Sequence, residues 1–260
     1  MEEKSTENYI YGKNPIYECL LKNPKRINKI YIQNGIFFDN RLKKIYNLAR
    51  ENKINIQKTS FKKFEDVFEH DRNLQGVVAC VSPVEYTDIE DFLDIKKDGY
   101  KKIVVLDSIS DPHNFGAIIR TAAAAGFDAV MISNHRSVSV TPLIEKISSG
   151  AVNHIPIIKT SSLSASIDLL KKNDFWVIAT QMEAKQNYYE IDYTDMNFAI
   201  VMGSEGSGIS KTILNKADFT IKIESNFESL NVSAAAAVIL YEALRQIRTK
   251  SPLLNKKNNV

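Results

Sequence analysis

The chain is poor in cysteine and has no long apolar run. Its two cysteines, Cys19 and Cys80, allow one disulfide at most, and their separation matches no zinc-binding spacing. A disulfide-stapled secreted scaffold is therefore excluded, and a reduced, cytoplasmic setting is expected. No apolar stretch approaches the roughly 20 residues that a membrane span requires. The start, Met1-Glu2-Glu3-Lys4-Ser5, is polar and acidic, without the apolar region of a signal peptide. The four histidines (His70, His113, His135 and His154) are scattered and form no recognisable ligand pair, so no metal is expected. Internal repeats and low-complexity tracts are absent as well.

What is present is a chain of 260 residues, 44% hydrophobic and 25% charged, enough for one large core or two smaller ones. The net charge of +3 is unevenly spread. Residues 1–83 carry 15 Lys and Arg against 10 Asp and Glu, whereas residues 84–260 carry 19 against 21. A basic front on a near-neutral back suits nucleic-acid recruitment, although a lysine-rich solvated surface has the same signature.

The patterning predicts two domains. Residues 1–83 read as a small α/β unit with strands at Ile27–Gln33, Asn55–Lys58 and Gly76–Val81. Its helices are expected at Asp39–Glu51 and from Asn14-Pro15 to Leu21, with proline at the first position of the latter. Residues 84–100 are charge-dense and read as a linker with one short helix. Residues 101–260 alternate strand and helix. Strands are expected at Ile103–Asp107, Ala129–Ser133, Ile155–Ile158, Phe175–Ala179, Phe198–Met202 and Phe219–Ile223. The helices fall at Phe115–Ala125, Pro142–Ser149, Leu163–Lys171 and Val232–Arg248, and the tail after Pro252 should fray. Short apolar strands alternating with helices specify a parallel sheet covered on both faces. Ligands bind such sheets beyond the carboxyl ends of the strands.

Three segments at strand ends combine glycine with polar side chains. In Leu106–Gly126 a strand stops at Asp107, Asp111-Pro112 turns the chain, and Asn114 is placed to cap a helix that Gly126 ends. Arg120 is the one long polar side chain on that alanine-rich helix. In Phe198–Ser210 an apolar strand runs into glycines at 203, 206 and 208, a loop whose amides can approach a ligand closely. Its spacing is neither G-x-G-x-x-G nor a P-loop, and Glu205 within it disfavours a polyphosphate and suits a cationic centre. In Glu228–Gln246, Ser229 and Asn231 precede a long helix, and either can cap it.

Together these segments closely resemble the three signature motifs of the SpoU (TrmH-like) RNA 2′-O-ribose methyltransferases of the SPOUT superfamily. D-P-x-N-x-G-x-x-x-R-T-A matches Asp111 through Ala122, V-M-G-x-E-x-x-G-x-S matches Val201 through Ser210, and S-L-N-V-S matches Ser229 through Ser233. Residues 9–83, from Tyr11-Gly12-Lys13-Asn14-Pro15 to Gln75-Gly76-Val77, are similar to the family's N-terminal substrate-binding domain, which points to the ribosomal-RNA branch. The sequence departs from the family at Ile221-Lys222-Ile223-Glu224-Ser225, where relatives usually have I-P-M-x-G, and at Ala234, where valine commonly follows the serine.

The resemblance implies a small RNA-binding α/β domain ahead of a parallel-sheet α/β domain tied in a deep trefoil knot, contrary to the usual rule against threaded chains. It implies a homodimer with the active site near the subunit interface and the Ala-rich helices as interface candidates. The reaction implied is methylation of a ribose 2′-hydroxyl by S-adenosylmethionine, in RNA and most closely in a guanosine of 23S rRNA. Gly203, Ile221, Leu230 and Thr180 would bind the cofactor. Arg120, Asn114, Glu205, Ser229 and Asn231 would form the catalytic set. Family proposals make Arg120 the base, yet a guanidinium stays charged in proteins. It would more readily hydrogen-bond the 2′-oxygen and a neighbouring phosphate that helps accept the proton. Glu205 as sole general base is the competing assignment. The alternatives are a tRNA 2′-O-methyltransferase and a non-catalytic RNA-binding factor of the same fold, which would bind no S-adenosylmethionine. A dinucleotide-dependent oxidoreductase lacks its fingerprint, since D-P-H-N-F-G stands where G-x-G-x-x-G is needed.

Overall fold

A computed structural model describes residues 8–60, 74–134, 138–226 and 228–250. The acidic start, His70, His135 and the tail after Pro252 lie outside the described residues. The chain forms two compact units, one of residues 1–85 with 139–154, the other of residues 86–138 with 155–260.

The first unit is a four-stranded sheet in the order β1-β4-β2-β3. Its strands are β1 (Asn8–Tyr11), β2 (Ile27–Gln33), β3 (Asn55–Thr59) and β4 (Val77–Val81). Strand β4 is antiparallel to β1 and β2, while β3 is parallel to β2. Helices α1 (Lys13–Lys22) and α2 (Asn40–Glu51) bury Ile16, Leu20, Leu42 and Ile45 in the same cluster as Ile30, Ile32 and Val77. Helix α2 starts where the Asp39 carboxylate accepts a hydrogen bond from the Leu42 N–H at 2.8 Å. The Lys13 ammonium beside Asp39, followed by that amide, holds its carboxyl below the usual carboxylate range. The proline expected to open α1 instead occupies its third position. Gly12, at φ 92°, is the N-cap, and Pro15 is tolerated because first-turn N–H groups have no helical partner.

The core of this unit contains an ion pair of long sequence range. The Arg26 guanidinium, 6% exposed, donates to both carboxylate oxygens of Glu145, at 2.8 Å and 3.4 Å. It also donates to Asn153 Oδ1 at 2.7 Å and to the Ser82 carbonyl. Burial pushes the neighbouring Cys19 thiol up to about 12, against the opposing field of Arg26, so it remains a neutral packing group. Glu145→Ala leaves a buried guanidinium unpaired and should cost about 3–5 kcal/mol. Urea unfolding followed by circular dichroism reads this directly, and a loss under about 1 kcal/mol would show that the pair is dispensable.

The second unit is a seven-stranded parallel sheet in the order β7-β6-β5-β10-β8-β11-β9. In chain order these are β5 (Lys102–Asp107), β6 (Ala129–Ser133), β7 (Ile157–Thr160), β8 (Phe175–Thr180), β9 (Gln186–Asn187), β10 (Asn197–Gly203) and β11 (Phe219–Lys222). The stretch expected as a linker contains α3 (Ile89–Asp94), whose Ile89 and Phe92 are buried in this unit's core with Ile103, Val105 and Ala129. Helix α4 (Pro112–Ala124) follows β5, and α5 (Pro142–Ile147) lies in the segment that belongs to the first unit. Helices α6 (Leu163–Lys172), α7 (Lys211–Leu214) and α8 (Val232–Lys250) follow among the described residues, and α4 packs on α8. No helix among the described residues is long and apolar enough to cross a membrane.

Candidate functional site

The site gathers at the carboxyl ends of β5, β8, β10 and β11, where an open parallel sheet presents its ligands. Strand β10 ends at Gly203 and the chain turns back on itself. Ser204 and Gly208 exchange backbone hydrogen bonds at 2.9 and 3.2 Å, with Gly208 in the left-handed region at φ 64°. This fold-back makes glycine obligatory at 203, because a Cβ there would lie 2.2 Å from the Gly208 carbonyl carbon and 2.4 Å from the Ile209 nitrogen. At the far end of the loop the Ser210 N–H donates at 2.7 Å to Asp107, the buried last residue of β5. The loop is thus tied to a neighbouring strand.

Below it opens a cavity of about 730 Å³. Gly203, Ile221, Leu230 and Thr180, the four residues expected to bind a cofactor, all line it, and so do Ser229 and Glu205. The Thr180 hydroxyl donates to the Val201 carbonyl at 3.1 Å, and the Gln181 N–H to the Ile221 carbonyl at 2.9 Å. These bonds fix the edges of β8, β10 and β11 against one another. A second cavity, of about 840 Å³, is lined by Ser108, Asp111 and Asn114. It meets the first across Ser204, Glu205, Gly206, Ser207 and Val232, which line both.

The three motifs converge on one carboxylate. Glu205 Oε1 accepts from Asn114 Nδ2 at 3.1 Å and from Asn231 Nδ2 at 2.5 Å, with the Val232 N–H at 3.4 Å. Asn231 Nδ2 also donates to Asn114 Oδ1 at 2.9 Å. A carboxylate only accepts, so both amides must turn their nitrogens towards it. The second oxygen of Glu205 has no donor among the described residues.

Asn114 does not cap α4 as expected. Asp111 does so, accepting from the His113 and Asn114 N–H groups at 3.1 and 3.4 Å, with Pro112 at the first helical position. Proline favours that position and a carboxylate just before it. Asn114 is therefore the third residue of the helix, 8% exposed, with its amide free for Glu205. Asn231 does cap α8: its Oδ1 accepts from the Ser233 and Ala234 N–H groups.

Arg120 stands apart from this cluster. It is exposed on α4, lines neither cavity, and its guanidinium has no hydrogen bond or ion pair to another described residue. Six residues beyond Asn114, it points about 120° around the helix from it. Glu224, which lines the first cavity, and Asp107 and Asn187, which hold Ser210 and Glu224, are residues that no motif in the sequence singles out as functional. For Asp107 the available signal is a carboxylate ending a buried strand. Among the described residues no group of three His, Cys, Asp or Glu side chains is arranged to hold a metal.

The profile of the SpoU rRNA Methylase family matches residues 101–241, and that of RNA 2′-O ribose methyltransferase substrate binding matches residues 9–87. A protein of Staphylococcus aureus strain MSSA476, named as a putative TrmH family tRNA/rRNA methyltransferase, is 39% identical over 241 residues, spanning 91% of this chain and 95% of its own. The SpoU methyltransferase AviRb of Streptomyces viridochromogenes superposes with a TM-score of 0.78 at 21% identity, covering 94% of this chain and 91% of that one. An AdoMet-bound rRNA methyltransferase of Sinorhizobium meliloti gives 0.75 at 22% identity, over 92% and 87%. The last two show the shared fold, and the profile and the staphylococcal relative show descent: the chain belongs to the SpoU rRNA methylase family.

Proposed function

We propose that this protein transfers the methyl group of S-adenosylmethionine to a ribose 2′-hydroxyl of RNA, and that the target is a guanosine in 23S rRNA. The observation that carries the reading is the Asn114–Glu205–Asn231 network, which joins all three motifs at the boundary of two cavities. The chemistry of the pocket fits the donor. Its volume of about 730 Å³ suits a nucleoside-sized ligand. Gly203 lets the loop fold back on itself at the cavity edge, and the open oxygen of Glu205 favours a cationic ligand over a phosphate. S-adenosylmethionine supplies an already activated methyl group, so the protein's work is placement and the handling of one proton.

In this reading Thr180, Gly203, Ile221 and Leu230 hold the cofactor. Asn114 and Glu205 orient the ribose from the adjoining cavity, with Asn231 bracing both and Ser229 acting from the wall of the first. Arg120 reaches a site only as part of a homodimer, contributed by a second copy. The outward faces of α4 and α8 support such a contact. Ala117 and Ala124 on one helix, and Ala234, Val238 and Tyr241 on the other, remain partly or fully exposed, as does Arg120. The first unit, with its excess of basic residues and its substrate-binding profile, recruits the RNA.

The test is a map of 2′-O-methylation in ribosomal and transfer RNA from cells with and without the gene. Loss of one methylated guanosine in 23S rRNA is expected. A change confined to tRNA would favour the second reading, for which the staphylococcal relative's joint tRNA/rRNA name speaks. An unchanged pattern in both would refute methyl transfer to these RNAs.

A further inference from the structure

The segment after β11 is where this chain leaves its family's pattern, reading Lys222-Ile223-Glu224-Ser225 in place of P-M-x-G. The structure gives Glu224 a dedicated support. Strand β9 pairs with the end of β11, Asn187 against Lys222, and the Tyr188 N–H donates to the Lys222 carbonyl at 2.9 Å. Asn187, 8% exposed, is pinned through its own N–H to Glu190 at 2.6 Å, and its Nδ2 donates to Glu224 Oε1 at 3.2 Å. The Asn187 Oδ1 is left buried without a partner. Reversing the amide would set that oxygen against the carboxylate, so the side chain keeps the orientation that serves Glu224 at the cost of an orphaned acceptor.

Glu224 lines the 730 Å³ cavity. Its second oxygen has no donor among the described residues, and Lys222, which lines the same cavity, forms no ion pair with it. The carboxylate thus presents open acceptor positions to whatever fills the space. Strands β10 and β11 flank β8, so the loops bearing Glu205 and Glu224 begin about 10 Å apart. The two carboxylates therefore address different parts of one ligand. Glu205 lies at the boundary with the second cavity, where the reacting end belongs. Glu224 follows the carboxyl end of a parallel strand, the position from which an acidic side chain takes ribose hydroxyls in other open α/β sheets.

We propose that Glu224, held by Asn187, is a specificity-determining contact of this chain, its carboxylate accepting hydrogen bonds from the vicinal 2′,3′-diol of the cofactor's ribose. The inference rests on the S-adenosylmethionine reading of the cavity. It gives the pocket a second carboxylate acceptor, on the far side of β8 from Glu205.

Calorimetry on the full chain tests it with three probes: S-adenosylhomocysteine, 5′-methylthioadenosine, which lacks the amino-acid part, and the 2′,3′-dideoxy analogue of methylthioadenosine. Glu224→Ala should weaken the first two by about tenfold and leave the dideoxy analogue unchanged, since charge-assisted hydrogen bonds are lost only where the diol exists. Glu224→Gln, which keeps an acceptor in place, should recover part of the loss. Weakening of S-adenosylhomocysteine alone would assign the carboxylate to the ammonium group and overturn the proposal. Equal weakening of all three would show a purely structural role and overturn it too, as would no change in any. Failure of the unsubstituted protein to bind S-adenosylhomocysteine would instead sink the cofactor reading itself.

Discussion

Arg120→Ala should lower the rate of methyl transfer by about 10²–10³-fold, the usual cost of removing one transition-state hydrogen-bond donor, with cofactor affinity unchanged. The separation follows from placement, since Arg120 is exposed and touches neither cavity in a single chain, whereas the cofactor residues line one of them. Arg120→Lys should be nearly as slow, because an ammonium keeps the charge and loses the planar fork that spans a 2′-oxygen and a phosphate. Near-normal turnover by the lysine variant would remove the positioning role. If Glu205 were the sole general base, Glu205→Gln would be as damaging as Arg120→Ala. Subunit mixing asks which copy supplies the guanidinium. Arg120→Ala and Gly203→Ala subunits are each inactive alone, but random pairing gives half of the dimers one intact site. About a quarter of full activity should then return. Failure to regain activity would place Arg120 in the site of its own chain.

Gly203→Ala should abolish cofactor binding in calorimetry. The added methyl would meet the Gly208 carbonyl carbon at 2.2 Å and its oxygen at 2.5 Å, and both are backbone atoms that cannot swing aside. Either the turn formed by Ser204 and Gly208 opens or β10 shifts against β5 and β8, and each outcome moves Glu205 away from Asn114 and Asn231. Gly206 is the control for the turn: a Cβ added there would have no protein atom within 4 Å and its φ is ordinary, so Gly206→Ala should unfold in urea as the unsubstituted protein does. A Gly203→Ala protein with normal affinity would mean that the loop is softer than its hydrogen bonds imply.

The sequence is most legible where the apolar pattern is unbroken, either continuous or regularly alternating. Ile27–Gln33 and Ala129–Ser133 have the ends that their patterns predict, because continuous or alternating apolar residues leave few other registers. Asn8–Tyr11 is not legible, since four residues with one fully buried side chain give no period to detect. The seventh sheet strand, Gln186–Asn187, is two residues long and exists through its neighbour β11. At the site, motif resemblance supplies Asn114, Glu205 and Asn231, and the structure brings them together. Local grammar alone makes Asn114 a cap, because a lone Asn after a turn has two equally good uses and only Glu205, 91 positions away, decides between them. Glu224 is visible as a departure from the family, but its purpose needs the Asn187 amide, 37 positions earlier.

The Arg26–Glu145 pair also bears on how the protein comes to be folded. Its members are 119 positions apart, and the whole of β5, α4 and β6 is synthesised between them. On the ribosome the small unit must therefore wait, its guanidinium without a carboxylate partner, until the first two of the seven strands of the large sheet have been made. Cutting the gene at the apparent border near residue 85 would leave that vigil permanent. The smaller unit is sewn shut by a thread drawn from the middle of the larger unit's sequence.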